Sequence, residues 1–357
     1  MVKITVSNIN KKYHKLFNIN FFFTIIGVIC YSICLFFDKK FREELTEQAK
    51  LYDASDVSIN IYRLIFNMLW IYTSENFSPY EYRCYGFYGS VKDKRDEFIP
   101  EESLKWTFKT DKTINMLPRN KFGRYKMFSS LFHRDIICLY SDRDDEMKKV
   151  FSEFQKKHSE AIFKPLKGAQ GKGVIKLSID GMDYSILRKK IGNGDYMIEE
   201  VIDQGAELSK FHPSSINTIR YVTAMSPEGN YSVLYSMLRC GGGGSVVDNV
   251  GSGGFIMLVD ENGVVETDAM RAGEYYEKHP DTGVSFKGSN IPSWNELQAI
   301  AENAHRTVPN QRLFGWDFAW TKNGWDLVEV NPGPAVVSWQ ILKGKGLKPR
   351  FREVGIL

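Results

Sequence analysis

From Ala161 to Asn331 the chain alternates short apolar runs with turns. "AIFKPL", "GVIKLSI", "YMIEEVI", "INTIRYVTAM", "YSVLYSMLRC", "GGFIMLV", "RLFGWDFAW" and "WDLVEVN" are rich in β-branched and aromatic residues, and several are joined by short stretches holding Gly, Asn or Pro. Such connections argue for mostly antiparallel strands. Helical spacing appears between them. "DRDDEMKKVFSEFQKKH" sets Met147, Val150, Phe151 and Phe154 on one face, and "SWNELQAIAENAHRTV" does so with Trp294, Leu297, Ile300 and Ala301, with Ser293 placed as an N-cap. "YKMFSSLFHRD" reads as a helix with a loop after it. The sequence therefore predicts an α+β body over residues 121–340. A hydrophobic segment over 1–42 and a helical, aromatic-rich region over 43–120 precede it, and a tail over 341–357 follows.

The last two runs form a hairpin, "FGWDFAWTKNGWDLVEVNPGP", that carries Asp317, Glu329 and Asn331 among aromatic residues. A two-residue Asn-Gly loop would set Asp317 and Glu329 on opposite faces. A three-residue loop over Lys322-Asn323-Gly324 pairs Thr321 with Trp325, and so places Asp317 across from Glu329 and Gly315 across from Asn331. Like charges directly opposite on a sheet are destabilising. A hard cation reverses that sign, and Mg²⁺ accepts one or two carboxylates while keeping sites for phosphate oxygens. A solvated edge hairpin with its acids in water is the other reading of the same residues.

Three further segments suit a phosphate-bearing ligand. "FKPLKGAQGKGV" is strand, glycine-rich loop, strand. It is not a Walker A loop, because Gly171-Lys172 is followed by Gly173, and its glycines do not follow the dinucleotide fingerprint. Gly168, Gly171 and Gly173 can still offer backbone N–H groups to an anion, with Lys172 in the loop and Lys164 on the strand before it. An ordinary hairpin with a lysine-rich tip is the alternative. "YMIEEVIDQGAEL" is a strand ending in acids. Backbone near Glu200 and Val201 suits adenine, and Glu199 or Glu207 suits hydroxyls or an exocyclic amine. Arg220 and Arg239 sit on neighbouring β-type segments, where an arginine among apolar residues needs a carboxylate partner or an anion.

Composition narrows the partners. A net charge of +4 over 357 residues, with no basic run interleaved with aromatics, gives no support for nucleic acid. Five scattered cysteines without a CxxC pair argue against a zinc site or disulfide framework and fit a reducing cytoplasm. The six histidines form no spaced pair, and no Ser-His-Asp or Cys-His arrangement stands out. His212 lies close enough to the acidic strand end to be a candidate ribose or substrate contact. Phe21 to Phe37, "FFFTIIGVICYSICLFF", is near the lower limit for a membrane span, with Lys11, Lys12 and Lys15 before it and Lys39, Lys40 and Arg42 after it. It reads either as a membrane anchor or interfacial helix, or as a buried helix. No small-residue cleavage site follows it.

Taken in order, these segments resemble the ATP-grasp superfamily from about Arg124 to Pro334. "YKMFSS" resembles its first nucleotide-lysine segment, which implies Lys126. "IFKPLKGAQGKGV" resembles the second lysine, Lys164, with the mobile phosphate-covering loop, and "MIEEVI" the adenine hinge. "NTIRYVT", "SMLRC" and "DNVGSGG" resemble the arginine, arginine and Asn-Gly-Gly segments of the ribosomal-protein glutamate ligase branch, here Arg220, Arg239 and Asn249. "WDFAW…LVEVNPGP" resembles the metal motif, with Asp317, Glu329 and Asn331 as ligands. "SSINTIRYVT", "VVDNVGSGG" and "CYGFYGS" look most like the sugar-transfer-associated ATP-grasp proteins of bacterial surface-polysaccharide pathways. The resemblance implies two α+β subdomains gripping ATP with one or two Mg²⁺, and acyl-phosphate chemistry joining a carboxylate to an amine. Residues before about 120 depart from the better-known ligases. A kinase of the same fold acting on a hydroxyl, or a non-catalytic nucleotide-binding partner of a glycosyltransferase, are the competing readings. ATP use implies a cytoplasmic location, either free or at the inner face of the membrane.

Overall fold

The computed structural model describes residues 38–53, 60–110, 117–118, 120–168, 171, 173–245, 248 and 253–357. The apolar segment Phe21–Phe37, Lys172 and Asn249 lie outside the described residues. Among the described residues no helix is long and apolar enough to cross a membrane. The chain divides into two compact units: one is built mainly from residues up to Lys112 and from Ala335–Arg352, the other from Thr113–Pro334 with Glu353–Ile356.

The first unit is helical. Helix α1 (Lys39–Asp53) and helix α2 (Ile61–Glu75) pack through Phe41, Leu45 and Ala49 against Leu64, Met68 and Ile71. A short helix, α3 (Pro79–Cys84), opens with a capping box in which Ser78 and Glu81 exchange hydrogen bonds. Tyr82, Tyr85, Phe87 and Phe98 fill the centre, so the aromatic text "CYGFYGS" contributes to the core here, and helix α4 (Glu101–Thr110) follows. This unit also takes in Ala335–Arg352, on both sides of the boundary expected at residue 340. Val337 and Ile341 pack on this same core, and Gln340 is fully buried, hydrogen-bonded to Tyr85, Ile99 and Leu347.

The second unit is α+β, as expected, with two antiparallel sheets. Strands β1 (Ile136–Leu139), β2 (Glu160–Pro165), β3 (Ile175–Ser178) and β4 (Tyr196–Glu200) form a sheet of order β1-β4-β2-β3. Strands β5 (Thr218–Met225), β6 (Tyr231–Cys240), β7 (Phe255–Val259), β8 (Ala269–Arg271), β9 (Glu274–Tyr276), β10 (Leu313–Thr321) and β11 (Gly324–Asn331) form a second, of order β11-β10-β5-β6-β7-β8-β9. Each sheet has one face sealed by apolar packing. Ala161, Phe163 and Ile198 pack against α6 (Asp144–Gln155) and α7 (Tyr184–Ile191); a shorter helix, α5 (Lys121–Met127), precedes the first sheet. Phe314, Trp316 and Phe318 pack with Leu297, Ala301 and Ala304 of α8 (Trp294–Arg306). The alternation of strand side chains then turns Ile162, Lys164, Met197 and Glu199 of the first sheet, and Gly315 and Asp317 of the second, to the opposite faces. Ser293 holds the N-cap position of α8 in a left-handed conformation without a capping hydrogen bond, so the capping role expected of its side chain is not realised.

Candidate active site

A cavity of about 460 Å³ opens within the second unit, walled by the free faces of its two sheets. Its floor is one row of cross-strand neighbours. Glu329 on β11 pairs with Asp317 on β10, and Asp317 pairs with Arg220 on β5. One step along, Thr218 on β5 pairs with Arg239 on β6. The Asp317–Glu329 and Gly315–Asn331 pairings are those expected from the sequence, but they arise differently. The loop has two residues, Lys322 and Asn323, with Thr321 opposite Gly324, and a bulge at Val328 shifts the register by one. Without that bulge Glu329 would follow Trp325 and Leu327 onto the apolar side; with it, Val330 packs inward and Glu329 turns to the cavity.

The arginines are paired with carboxylates. Arg220 binds both oxygens of Asp317 through Nε and Nη2, the latter at 2.8 Å. Arg239 Nη1 lies 3.3 Å from Asp317 Oδ2, and its Nη2 donates to Asp248 Oδ1 at 3.0 Å. Thr218 Oγ1 donates to the other Asp248 oxygen. Burial alone would raise the Asp317 carboxyl, but Arg220 and Arg239 outweigh it and hold it below the usual range. Asp248 is raised, because burial, reinforced by the nearby Asp317 charge, exceeds the pull of Arg239. Arg239, Asp248, Asp317 and Glu329 reach the cavity wall; Arg220 stands behind Asp317. Asn331 Nδ2 is 3.4 Å from Asp317 Oδ2. Glu329 makes no ion pair with another described residue, so its carboxylate is open to the cavity.

The opposite wall is cationic. Lys164 Nζ contacts Glu199 Oε1 at 2.7 Å, and Arg134 grips Glu199 Oε2 through Nε and Nη2 at 3.0 and 2.7 Å. Arg134 Nη1 reaches on to Asp326 at 2.8 Å and to the Leu327 carbonyl, tying the first sheet to β11. Burial would raise the Glu199 carboxyl, but the Lys164 and Arg134 charges together lower it. Glu199 is thus the anchor for Lys164, a different task from the hydroxyl contact expected of it. Glu200 and Val201 line the cavity, while the Glu200 carboxylate accepts from the Asp135 amide. Glu207 lies elsewhere, accepting the Trp320 indole N–H at 2.8 Å. Gly171 reaches the wall; Gly168 and Gly173 belong to the same loop, and the Gly168 carbonyl accepts from Lys121 at 2.8 Å.

The expected first lysine is displaced. Lys126 is exposed, over the ring of Phe122, and does not line the cavity. Lys121 and Arg124, three apart on α5, do line it. On a helix, residues three apart share a face, whereas five places turn the side chain about 140° away. Burial, partly offset by Glu329 and reinforced by Lys164 and Arg124, lowers the Lys121 ammonium pKa. His212 is also off the wall, buried between the Ser215 hydroxyl and the Gly243 carbonyl. Arg134, Thr218 and Asp248 carry no sequence signal of their own. Asp248 stands one place before Asn249 in a segment already singled out, and the spacing of Lys121 and Arg124 was readable once the helix start at Asn120 was known.

Two antiparallel sheets facing across a cleft, with lysines on one wall and carboxylates on the other, define the ATP-grasp class. Residues 126–355 match the sugar-transfer associated ATP-grasp family, and the chain belongs to it. No curated protein matches this sequence. Among solved structures it is similar to the ADP complex of PurK, N5-carboxyaminoimidazole ribonucleotide synthetase, at 12% identity over 67% of this chain and 52% of that one, with a TM-score of 0.42. Others are D-alanine–D-alanine ligase from Helicobacter pylori (13% identity, 67% and 57% coverage, TM-score 0.40) and D-cycloserine synthetase DcsG (13%, 71% and 77%, 0.41). The chain spans about half the length of the first of these.

Proposed function

We propose that this protein is an ATP-dependent carboxylate–amine ligase working through an acyl phosphate. Its carboxylate would be a carboxyl-bearing sugar or glycan precursor, and its amine an amino acid or amino sugar, in bacterial surface-polysaccharide synthesis. The observation that carries this reading is the cavity lined together by Lys121, Arg124, Lys164, Arg239, Asp317 and Glu329. Backbone at Glu200 and Val201 takes the adenine. Lys164, held by Glu199, and Lys121 take the α- and β-phosphates, with Lys172 and Asn249 as further phosphate contacts.

The donors Asp317, Glu329 and Asn331 are all oxygen donors on one strand pair, and Glu329 lines the cavity without an ion pair to another described residue, a set that fits Mg²⁺. Mg²⁺ bound there supplies charge neutralisation for the γ-phosphoryl group as it leaves ADP. Arg239 faces the transferred phosphoryl, then the tetrahedral oxyanion; Arg220 fixes Asp317. The substrate carboxylate attacks the γ-phosphorus and ADP leaves. The amine then attacks the acyl carbon, loses a proton and expels phosphate. We place the reaction in the cytoplasm, where ATP is, with Phe21–Phe37 associating with the inner face of the membrane.

The test is incubation with ATP, Mg²⁺, hydroxylamine and a panel of uronic acids and uronate-containing glycans. Hydroxamate with ADP is expected. AMP as the product overturns the mechanism. A stable phosphoester without hydroxamate makes the protein a kinase, and nucleotide binding without any turnover makes it a binding partner.

A further inference from the structure

Helix α2 is apolar on two opposite faces. Leu64, Met68 and Ile71 are buried in the helical unit. Tyr62, Phe66 and Trp70, four apart, run along the other side and are 81%, 63% and 40% exposed. No acidic residue precedes Glu75 in this helix, and Arg63 is its one basic residue. A helix apolar all round is normally enclosed by protein or in contact with lipid. Leu51, near the end of α1, is also 51% exposed. Among the described residues, four of the nine exposed large apolar side chains therefore belong to this helix pair.

The chain before α1 indicates what meets this face. Phe41, in the first turn of α1, packs on Tyr72, in the last turn of α2, with ring centroids 4.7 Å apart. The two helices thus run antiparallel, and α1 begins at the Trp70 end of α2. The apolar stretch from Phe21 to Phe37 lies just before that helix in sequence. Lys40, in the first turn of α1, and Arg63, in the first turn of α2, are exposed.

We propose that the Tyr62–Phe66–Trp70 face of α2 docks on a lipid bilayer surface. Tyr and Trp rings settle at headgroup depth, where one edge is wet and the rest apolar. A helix of 15 residues is about 22 Å long, too short to span the hydrocarbon core, so it lies in the interface. The apolar stretch Phe21–Phe37, next to α1 in the sequence, is a second lipid-compatible element of the chain. The inference does not depend on the ligase reading, because its test reads lipid contact and not turnover.

Full-length protein is mixed with phosphatidylcholine–phosphatidylglycerol vesicles whose acyl chains are brominated. The Trp70 emission, taken as the difference between the protein and Trp70→Phe, is expected to be quenched by these vesicles and not by unbrominated ones. The Phe66→Ser/Trp70→Ser variant should partition onto vesicles about tenfold less or weaker still, since each ring removed forfeits apolar burial. Its Tm should be unchanged, and Ile186→Ser, at an exposed apolar position on α7, should partition as the parent does. Four results overturn the proposal. They are an unquenched Trp70, parent-like partition of the double variant, an equal loss in Ile186→Ser, and a full-length protein that stays off vesicles. A fall in Tm with Trp70 unquenched would assign the face to the chain's own apolar segment, and a dimer lost in the variant would assign it to a second copy.

Discussion

Lys121 and Lys126 sit on one short helix, and only Lys121 reaches the cavity. If Lys121 contacts phosphate, Lys121→Ala should weaken nucleotide binding roughly tenfold to a hundredfold, the scale of a hydrogen bond to a charged group. Lys126→Ala should leave it unchanged. Calorimetric titration with ATP or ADP checks both, and equal effects would return the role to Lys126. A second residue, His305, gives a pH dependence. It is fully buried between Thr223 and the Gln311 carbonyl, and burial pulls its pKa from 6.5 to about 4. Between those values the unfolded chain binds a proton that the folded chain does not. Stability is therefore complete above 6.5 and is lost as the pH falls toward about 4. The full effect is on the order of 3 kcal/mol. Tm measured across that window should fall more steeply for the parent than for His305→Gln.

At the scale of an element, the glycine-rich segment after β6 matters because of how closely it folds on itself. A Cβ added at Gly254 would meet the Asp248 carbonyl oxygen at 2.4 Å. It would also meet the Cys240 carbonyl oxygen at 2.9 Å. Both are backbone atoms and cannot swing aside. Gly254→Ala should therefore displace Asp248 from Arg239 and Thr218 and mis-aim Arg239. A misplacement of about 1 Å in a positioning group costs roughly a hundredfold in rate. The expected result is a large fall in kcat with a smaller change in KM for ATP, read by ADP release. Parent-like kcat would show that the Arg239 pairing does not depend on this close approach.

For the whole molecule, the segment after the hairpin is a structural member of the helical unit. Gln340 is fully buried, and its amide serves the Ile99 N–H and carbonyl, the Tyr85 hydroxyl and the Leu347 N–H. Gln340→Met keeps the volume but leaves these groups without partners, at about 1–3 kcal/mol for each one that water cannot reach. Urea denaturation should show a loss of at least about 2 kcal/mol. A smaller loss would mean that the cluster relaxes or hydrates.

The sequence by itself determined the eight principal strands, the antiparallel character and the order of the ligand-binding segments. These follow from periodicity and turn chemistry, which act between near neighbours along the chain. Other features are set by register and rotation among residues far apart in sequence. The strand order places Arg220 beside Asp317 and Thr218 beside Arg239, which turns four separate polar residues into one network. The rotation of α5 selects Lys121 and Arg124 over Lys126. The bulge at Val328 carries Glu329 to the cavity side even though the hairpin loop is one residue shorter than expected. Arg134 shows the limit most plainly. It lies in a loop with no periodic signal, yet its guanidinium joins Glu199 to Asp326 and so fixes Lys164, because burial makes each of those charges depend on the others.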